Sequence, residues 1–408
     1  MRETAENSGE ILMKTTRTSK GVLAALIATT GVVWGADDWP MHLHDAERSG
    51  FSDTLIELPL SQHWLHVSAS APEAAWAPPI PHAVEGNLEI NRLDFDLAFQ
   101  VAASAEAVYF GSSSDDQVRC LDSRSGKVRW SFFADGPVRL GPSLDAGRLY
   151  FGSDDGFVYC LDAESGSVIW KRLLGFDRTR HLGNGRLISR WPVRSGILIR
   201  DGIAYCGAGV FPHEGIILCA LEAESGDVIW MNDTLGEQDN NRSRLAPQGY
   251  LLANEKYLYV PSGRDLPAAF YRKDGKKRFH AKASWRADGI VGGTYGVLVE
   301  DQLITGANQN VVFDAESGKS GEGWFHGRRI VVRGETAYFA TTEWVAAVDR
   351  KKYAAGSIKL HKMRQRHDGR GGDDPVVLEA KARHLLRAEE SKNPKERNGK
   401  NIANLKKE

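Results

Sequence analysis

Short apolar runs separated by polar turns occupy most of the chain, and this pattern predicts many short β-strands. Residues 149–153 form one apolar and aromatic run, which stops at Asp154-Asp155-Gly156. An Asp-Gly pair favours a tight hairpin, because such turns need residues with positive φ. Residues 157–161 then form the returning strand, and Asp162-Ala-Glu-Ser-Gly166 is a second turn. With residues 142–145 as a first strand and a further run after the second turn, the pattern predicts four antiparallel strands.

This unit repeats at a fixed interval, which is the strongest signal in the chain. Asp122, Gly126 and Trp130 recur 40 residues later as Asp162, Gly166 and Trp170. A third copy ends at Gly226 and Trp230, and weaker copies follow near Leu258, Leu303 and Ala337. A two-layer sandwich would also have many short strands, but not the same residues at a fixed period. The predicted fold class is therefore all-β, a β-propeller of four-stranded antiparallel blades.

The turn that closes each unit resembles a known motif. Cys120-Leu-Asp122-Ser-Arg-Ser-Gly126-Lys-Val-Arg-Trp130 is similar to the tryptophan-docking motif of pyrroloquinoline-quinone (PQQ) repeat proteins. The resemblance covers about residues 40–350 and implies an eight-bladed quinoprotein-like propeller. It also implies that each tryptophan packs between neighbouring blades, over the glycine turn of the next blade. The structural repeat residues are Asp122, Gly126, Trp130, Asp162, Gly166, Trp170, Gly226 and Trp230.

The family resemblance implies two different functions. Some members are dehydrogenases that hold the quinone and a calcium ion on the propeller axis, while others, such as the outer-membrane-protein assembly propeller, bind no quinone. The calcium ligands of the dehydrogenases do not align with this chain, and no two of its cysteines are adjacent in the sequence. PQQ with calcium is therefore implied by family resemblance only, and no metal site is predicted. We expect a binding or scaffold module, with a PQQ-dependent dehydrogenase of alcohols or sugars, in degenerate form, as the alternative.

The repeats also predict the domain organisation. Six hairpins are visible, and an early strand around Trp64 lacks its own hairpin, so six or seven blades are expected where the family has eight. The propeller is predicted to span residues 37–353. Residues 354–408 contain no aromatic residue and many charged ones, which predicts a largely disordered tail with a short helix near residues 376–390. A basic nucleic-acid tail and a gene that has lost its final blade are the alternatives.

The N-terminus has the layout of a secretory signal peptide, predicted over residues 1–36. A basic stretch precedes an uncharged, mostly apolar run at residues 21–33, which is too short for a membrane span of about 20 residues. Met13 is a second candidate start, which would leave residues 1–12 untranslated. A buried helix and a retained anchor are the alternatives. We expect a periplasmic or secreted protein and, since no cysteine precedes Cys120, not a lipoprotein.

The length and charge of the chain limit its partners. The 408 residues have 42% hydrophobic and 26% charged side chains, enough for a large core. A net charge of −1 gives no global field for nucleic acid. The expected partner is a protein or a small anionic ligand.

Candidate functional residues lie where the repeat is interrupted. The spacing from Trp170 to Trp230 is 60 residues instead of 40, and in propellers function is carried by loops at one mouth of the axis. Arginines with aromatics there would bind a carboxylate, sulfate or phosphate. The alternatives are solvated or salt-bridging arginines and a hydrolase or lyase built on His213 or Glu214 with Arg186 or Arg194. The candidate ligand-binding residues are Arg186, Arg190, Trp191, Arg194, His213, Glu214 and Arg264.

Cysteine and carboxylate positions complete the predictions. Cys206 and Cys219 occupy facing positions of one hairpin, which predicts a cross-strand disulfide or, failing that, two buried thiols. Cys120 and Cys160 are expected to stay unbonded. Asp115-Asp116 and Asp154-Asp155 take the same place in two blades and are predicted to form turns rather than a metal site. His42, His44 and Glu47 would contact a metal or belong to an N-terminal segment packed on the last blade.

Overall fold

The computed structural model describes residues 38–77, 95–236, 245–263, 265–282, 292–307, 309–327, 329–340 and 344–366. In these ranges the chain forms 27 strands, a 3₁₀ turn at Pro212–Glu214 and one α-helix. No helix in this part of the chain has the length and apolarity needed to cross a membrane. The predicted signal peptide at residues 1–36 and the predicted tail helix near residues 376–390 lie outside the described residues.

Six antiparallel sheets follow one another along the chain and are the blades of a propeller. Within each blade the strands pair in chain order, so the first strand lies innermost and the last lies outermost. This confirms the predicted fold class. Blades 1 to 3 consist of β1 (Val101–Ala103), β2 (Ala107–Gly111), β3 (Gln117–Asp122) and β4 (Val128–Phe133), then β5 (Ser143–Asp145), β6 (Arg148–Gly152), β7 (Phe157–Asp162) and β8 (Val168–Leu173), then β12 (Leu198–Arg200), β13 (Ile203–Ala208), β14 (Ile217–Glu222) and β15 (Val228–Asn232).

Blades 4 and 5 repeat the four-stranded plan, whereas blade 6 has three strands. They consist of β17 (Leu252–Ala253), β18 (Tyr257–Ser262), β19 (Asp265–Tyr271) and β20 (Lys277–His280), then β21 (Gly296–Val299), β22 (Gln302–Thr305), β23 (Gln309–Asp314) and β24 (Ser320–His326), then β25 (Arg329–Arg333), β26 (Thr336–Ala340) and β27 (Val345–Asp349). Two short pairs join the blades: the hairpin β9 (Arg180–Gly183) with β10 (Arg186–Ser189), and the parallel pair β11 (Ser195–Gly196) with β16 (Gly249–Tyr250).

A helix follows blade 6 at the point where a fourth strand would begin. This helix, α1 (Arg350–Arg366), packs back on the outer strand of blade 5. The Tyr353 ring stacks on Phe325 at 5.3 Å, and the Ser357 hydroxyl accepts the Trp324 backbone N–H. The helix spans the predicted boundary at residue 353, so helical structure continues directly from the last blade.

Aromatic side chains dock blades 1 to 4 on the turn of the next blade. The Trp130 indole lies over Gly166, whose φ is +73°, and its Nε1 donates to the Ala163 carbonyl at 3.1 Å. A side chain on the glycine would collide with the indole, and positive φ favours glycine independently. The same arrangement recurs for Trp64 on Gly126, Trp170 on Gly226, Trp230 on Gly275 and Phe279 on Gly318.

Trp64 itself does not lie in a strand, contrary to the sequence prediction. Residues 51–77 form no strand in the described structure. The Trp64 indole nevertheless takes the docking place on blade 1, and its Nε1 donates to the Ser123 carbonyl at 2.7 Å. Without a hairpin to pair with, this stretch supplies the aromatic contact of a preceding blade but not its strands.

Residues 38–51, called the axial segment below, cross the centre of the ring. They contact the inner strand of every described blade. Backbone hydrogen bonds join Trp39 to Ala103, Leu144 to Pro40, Ala253 to Ala46 and Leu298 to Glu47, and side-chain contacts join Glu47 to Arg200 and Phe51 to Arg333. Because inner strands border the axis, a segment that contacts all six of them occupies the axis. The predicted packing of this segment on the last blade is one of these six contacts.

Candidate functional site

Two kinds of loop lie on one face of the propeller: the middle hairpins of the blades and the connections between blades. In a four-stranded antiparallel blade, the middle hairpin and the connection to the next blade lie on the same face, called the connection face here. The insertion before blade 3, which contributes to the longer Trp170–Trp230 spacing, lies on this face. It folds in part into the hairpin β9–β10. The predicted site residues in the described ranges therefore belong to one face of the ring.

Arg186 clamps the hairpin β9–β10 against blade 1. Its guanidinium pairs with Glu73 at 2.9 Å and with Asp116 at 2.5 Å. It also donates to the carbonyls of Ser113 and Ser114. All four acceptors belong to the chain itself. For Arg186 these contacts favour the alternative of a salt-bridging arginine over that of a ligand-binding one.

The loop between β13 and β14 brings four other candidates together. Trp191 is buried and its Nε1 donates to the Glu214 carbonyl at 2.7 Å. The Glu214 carboxylate lies 3.5 Å from Arg190 Nε, and the Arg190 guanidinium lies over the Trp191 ring. His213 sits in the same 3₁₀ turn, with its ring 5.7 Å from that of Phe211. Among the described residues, Arg186 and Arg194 pair with carboxylates other than that of Glu214, so a pocket uniting them with His213 or Glu214 stays a prediction.

Arg194 belongs to a buried ionic network nearer the axis. Its guanidinium binds both oxygens of Asp154, with Nε and Nη2 each at 2.9 Å. Arg139 binds the same carboxylate through Nε at 2.6 Å and reaches Asp96 through Nη1 at 2.9 Å. All four side chains are almost fully buried. Such a network is stable only when every charge has a partner.

The two carboxyl groups in this network differ in their electrostatics. Burial alone would raise the pKa of Asp154, but Arg194 and Arg139 outweigh that effect and hold the pKa below its usual range. Burial raises the pKa of Asp96, and Arg139 offsets only part of the increase. The Oδ1 atom of Asp96 has no hydrogen-bond partner among the described residues. Asp154 uses both of its oxygens on guanidinium groups, which leaves no oxygen for acid–base chemistry.

Trp76 covers this network on the connection face. The Arg194 guanidinium lies 5.4 Å from the centre of the Trp76 ring. The Trp76 Nε1 donates to Gln248 Oε1 at 3.1 Å. Residues 73–77 thus place the Trp76 indole at the mouth of the propeller, beside Arg194 and Gln248.

A second group of side chains lies deeper on the axis and is called the axial centre, consisting of His42, Arg48, Tyr250 and Arg329. The His42 ring stacks on Tyr250 with centroids 3.6 Å apart. The Arg48 guanidinium lies 5.6 Å from the centre of the same tyrosine ring. Burial lowers the pKa of His42 well below its usual value, and the positive charges of Arg48 and Arg329 lower it further.

The remaining candidates are Arg264 and the cysteines. Arg264 lies outside the described residues. Cys206 and Cys219 are register partners on β13 and β14, and their Sγ atoms lie 3.1 Å apart. Both are buried, and the structure carries them as free thiols, as it does Cys120 and Cys160. The disulfide between Cys206 and Cys219 stays a prediction.

The described residues do not fit the cofactor that the family resemblance implies. Calcium requires several oxygen ligands, mainly carboxylates, around one point. No three His, Cys, Asp or Glu side chains converge in this way in the described ranges. The carboxylates nearest the mouth, Asp96 and Asp154, are held by arginines. His42, His44 and Glu47 are also not grouped as ligands, because Glu47 pairs with Arg200.

Sequence reasoning missed the residues that occupy the axis. Asp154 looked like a turn residue because blade 1 has an aspartate in the same place, yet its carboxylate joins two blade connections. Arg139 and Tyr250 lie in stretches without a repeated motif. The sequence signal that could have identified these axial residues is an arginine or tyrosine just before an inner strand, because those positions border the axis.

A stretch of exposed apolar side chains lies away from the axis, between the last and first blades. The Arg333 guanidinium of blade 6 lies 4.4 Å from the centre of the Phe51 ring, and Trp64 docks on blade 1. Residues 55–67, which include Trp64, are called the exposed segment. It presents Leu55, Ile56, Leu58, Leu60, Leu65 and Val67, each at least 67% exposed.

Comparison with known proteins gives one family match and several structural similarities. Residues 114–354 match the family model described as outer membrane protein assembly factor BamB. A search of curated proteins found no match. BamB from Moraxella catarrhalis is similar over 60% of this chain and 68% of that chain, with 15% identity and a TM-score of 0.43.

Two enzyme structures are also similar. Quinohemoprotein alcohol dehydrogenase ADHIIG from Pseudomonas putida HK5 has 16% identity and a TM-score of 0.47, over 74% of this chain and 49% of that chain. Quinohemoprotein alcohol dehydrogenase from Comamonas testosteroni has 14% identity and a TM-score of 0.45, over 72% and 49%.

Proposed function

The chain belongs to the PQQ-repeat propeller family described as outer membrane protein assembly factor BamB, and from this premise we propose that it is a non-catalytic, exported propeller that binds a protein partner. The proposed place of action is the cell envelope, in outer membrane protein assembly. The proposal combines the family with two properties of the molecule: arginines near the mouth that are paired with carboxylates of the chain and an apolar surface on the exposed segment.

The exposed segment is the observation that carries this proposal. Leu55 and Leu58 are 94% and 80% exposed, and four further apolar side chains within 13 residues are exposed as well. Single exposed apolar residues are normal, but a contiguous group marks a site of protein association. Burying such side chains in an interface stabilises a complex by about 25 cal/mol for each Å² removed from water.

The backbone of the exposed segment favours the same interpretation. Its N–H and C=O groups between residues 55 and 63 make no hydrogen bonds with other described residues. A segment in this state offers main-chain donors and acceptors to a partner strand, while its side chains supply apolar contact. We therefore propose a partner that presents an extended, apolar stretch, as an unfolded or partly folded polypeptide does.

The dehydrogenase alternative has weaker support in the residues. The carboxylates near the mouth are paired with arginines, and the described residues do not form a calcium site. Adding PQQ and calcium to the purified protein and following dye reduction with an alcohol substrate tests this alternative directly. Sustained reduction would replace the present proposal.

A genetic experiment tests the binding role. The gene would be replaced in its source organism by a Leu55→Asp, Leu58→Asp double variant, and by a Val345→Asp control that alters an apolar position 77% exposed on blade 6. We expect the double variant to lower the amount of folded outer-membrane protein as a deletion does. The control should behave like wild type, with equal levels of both variants in the envelope. Normal outer-membrane assembly in the double variant would contradict the proposal.

A further inference from the structure

The hairpin β9–β10 forms a two-stranded sheet of its own on the connection face. Asn184 and Gly185 at its turn have φ values of +48° and +82°, the backbone of the tight turns that match the twist of paired strands. The insertion that contains the hairpin interrupts the 40-residue repeat. The hairpin is therefore an addition to the blade plan and not one of the strands that a blade requires.

The hairpin is fixed to the propeller at both of its ends. At the turn, Asn184 Nδ2 donates to the Ala74 carbonyl at 2.9 Å, beside the contacts of Arg186 with blade 1. At the other end, the Ser189 N–H donates to the Asp154 carbonyl at 2.7 Å. These contacts hold the backbone of the hairpin in its strand conformation without a partner, which lowers the entropic cost of binding one.

Two leucines lie side by side on the hairpin, next to its turn. Leu182 and Leu187 are register partners, so their side chains project from the same side of the sheet and are neighbours. They are 80% and 54% exposed. An apolar side chain that packs against the pair would remove surface of all three groups from water, which favours association.

The outer edge of β9 carries main-chain groups that are not paired. In an antiparallel hairpin, hydrogen-bonded and non-hydrogen-bonded pairs alternate, and the pair that flanks a two-residue turn, here Gly183 with Arg186, is hydrogen-bonded. The N–H and C=O groups of Arg180 and Leu182 therefore point away from β10. They make no backbone hydrogen bond with another residue that the structure describes. An edge strand in this state can pair with an extended peptide.

The side chains beside this edge are basic. Arg180 belongs to β9, Arg178 precedes it by two residues, and both are exposed. The Arg178 guanidinium lies 5.7 Å from the centre of the Phe157 ring. Arg190 pairs with Glu214 at 3.5 Å, whereas Arg178 and Arg180 form no ion pair within the described part of the chain. An acidic segment would supply the counter-charges that the chain does not provide there.

We propose that the outer edge of β9 binds an extended acidic peptide as a third, antiparallel strand. An apolar side chain of the peptide packs on Leu182 and Leu187, and its carboxylates lie near Arg180 and Arg178. Because every second residue of a strand faces the same side, the expected peptide pattern is apolar-x-acidic-x-acidic, where x is any residue. This surface is separate from the exposed segment, so binding at either place can fail while the other stands.

Fluorescence anisotropy of a labelled peptide with the full chain tests the proposal. The probe peptide, Ser-Leu-Thr-Glu-Thr-Glu-Ser, follows the expected pattern, and a control peptide has lysine in place of both glutamates. We expect saturable binding of the acidic peptide with a Kd of about 100 μM or lower, and binding of the lysine peptide weaker by about tenfold or more. Added salt should weaken binding of the acidic peptide, since it screens exposed charges.

N-methylated peptides test the strand pairing itself. In the proposed register, the leucine and the first glutamate direct their N–H groups toward β9, whereas the threonine between them directs its N–H away. A methyl group on the leucine nitrogen should therefore weaken binding by about tenfold or more, and one on that threonine nitrogen should leave the affinity within about twofold.

Two variants of the protein locate the surface, and a third serves as control. Arg180→Glu should weaken binding of the acidic peptide by about fivefold or more, because it replaces attraction by repulsion. Leu182→Ser should weaken it by about tenfold through the lost apolar contact. Arg124→Glu makes the same change of charge at an exposed arginine on the turn after β3 and should bind like wild type.

Three results would overturn the proposal. The first is the absence of saturable binding of the acidic peptide up to about 1 mM. The second is equal binding by Arg180→Glu and Arg124→Glu, with both variants retaining the circular dichroism spectrum of wild type, because binding would then occur elsewhere. The third is an equal effect of the two methyl groups on the peptide, because the peptide would then not pair as a strand.

Discussion

Single residues of the repeat have distinct physical tasks. The Asp162 carboxylate accepts the Ser165 backbone N–H and hydroxyl, which closes the turn. Gly166 supplies positive φ and a surface without a side chain, on which the Trp130 indole rests. Hydrogen bonds within the turn lower the pKa of Asp162. The motif therefore has a structural role in joining blades and does not indicate a reaction.

Gly166→Ala tests the docking contact. A Cβ at this position would lie 2.7 Å from the Trp130 ring, and we expect a loss of about 2–4 kcal/mol in the free energy of unfolding from strain and overpacking together. Gly147 in the same blade has the same φ of +73° but nothing within 4 Å of such an atom. Gly147→Ala should thus cost only about 1–2 kcal/mol. Equal losses in chemical denaturation would show that the indole contact does not matter.

The cysteine pair gives a second residue-scale prediction. Paired residues on antiparallel strands have Cα atoms within the range that a disulfide requires. Protein exported to an oxidising compartment should show two free thiols out of four after unfolding without reductant. Reduction should then lower the free energy of unfolding by about 3 kcal/mol, the value for a loop of about 15 residues. Four free thiols in the exported protein would contradict the pairing.

His42 should make the protein less stable in mild acid. Its pKa in the folded state is lowered by burial, by Arg48 and by Arg329, and a hydrogen bond with Gln100 offsets this only partly. Below the unfolded value of about 6.5, only the unfolded chain takes up the proton. Stability should therefore fall by about 1.4 kcal/mol for each pH unit below that value. Urea denaturation should show that His42→Gln removes this slope between pH 6.5 and 5, and that His63→Gln, at an exposed histidine, keeps it.

At the scale of elements, the ionic network joins loops that the sequence does not connect. Asp154 sits on the β6–β7 hairpin, whereas Arg139 and Arg194 precede blades 2 and 3. A repeat pattern predicts strands and turns, because those depend on local residues and period. It does not predict which loop side chains meet at the axis, because that depends on the closure of the ring.

Asp154→Asn should destabilise the mouth strongly. It would leave two buried guanidinium groups without a full counter-charge, which costs about 3–5 kcal/mol. Asp227→Asn breaks an ion pair with Arg172 whose carboxylate is 76% exposed, and such pairs contribute about 0–1 kcal/mol. Denaturant unfolding of both variants measures the difference. A loss below about 1 kcal/mol for Asp154→Asn would contradict a structural role for the network.

Blade 6 shows another limit of sequence reasoning at this scale. The apolar pattern predicted its strands at Ala337 and beyond, and these form as β26 and β27. The chain then enters α1 instead of an outer strand, with Tyr353 as its last aromatic contact on blade 5. A charged stretch without apolar alternation cannot specify a strand, whereas a helix needs only one apolar side to pack.

At the scale of the whole molecule, the described residues form six blades, fewer than the eight that the family resemblance implies, and the first and last of these blades need another connection. Residues 38–77 provide it: the axial segment contacts the inner strands, and Trp64 docks on blade 1 in place of a preceding blade. Within the exposed segment, Trp64 and His66 contact blade 1, whereas the leucine and isoleucine side chains are exposed. Blades 6 and 1 are joined by an irregular segment and not by paired strands, so the apolar side chains of this segment stay exposed. We propose that the partner covers them.

Site-specific crosslinking tests this central proposal most directly. A photoreactive residue would replace Leu58 in the exposed segment or, as control, Phe133, which is 68% exposed on the outer strand of blade 1. We predict that irradiated cells give one adduct from position 58, with a protein of outer membrane assembly, and none of that kind from position 133. The same adduct from both positions, or adducts only with a second copy of this chain, would contradict it.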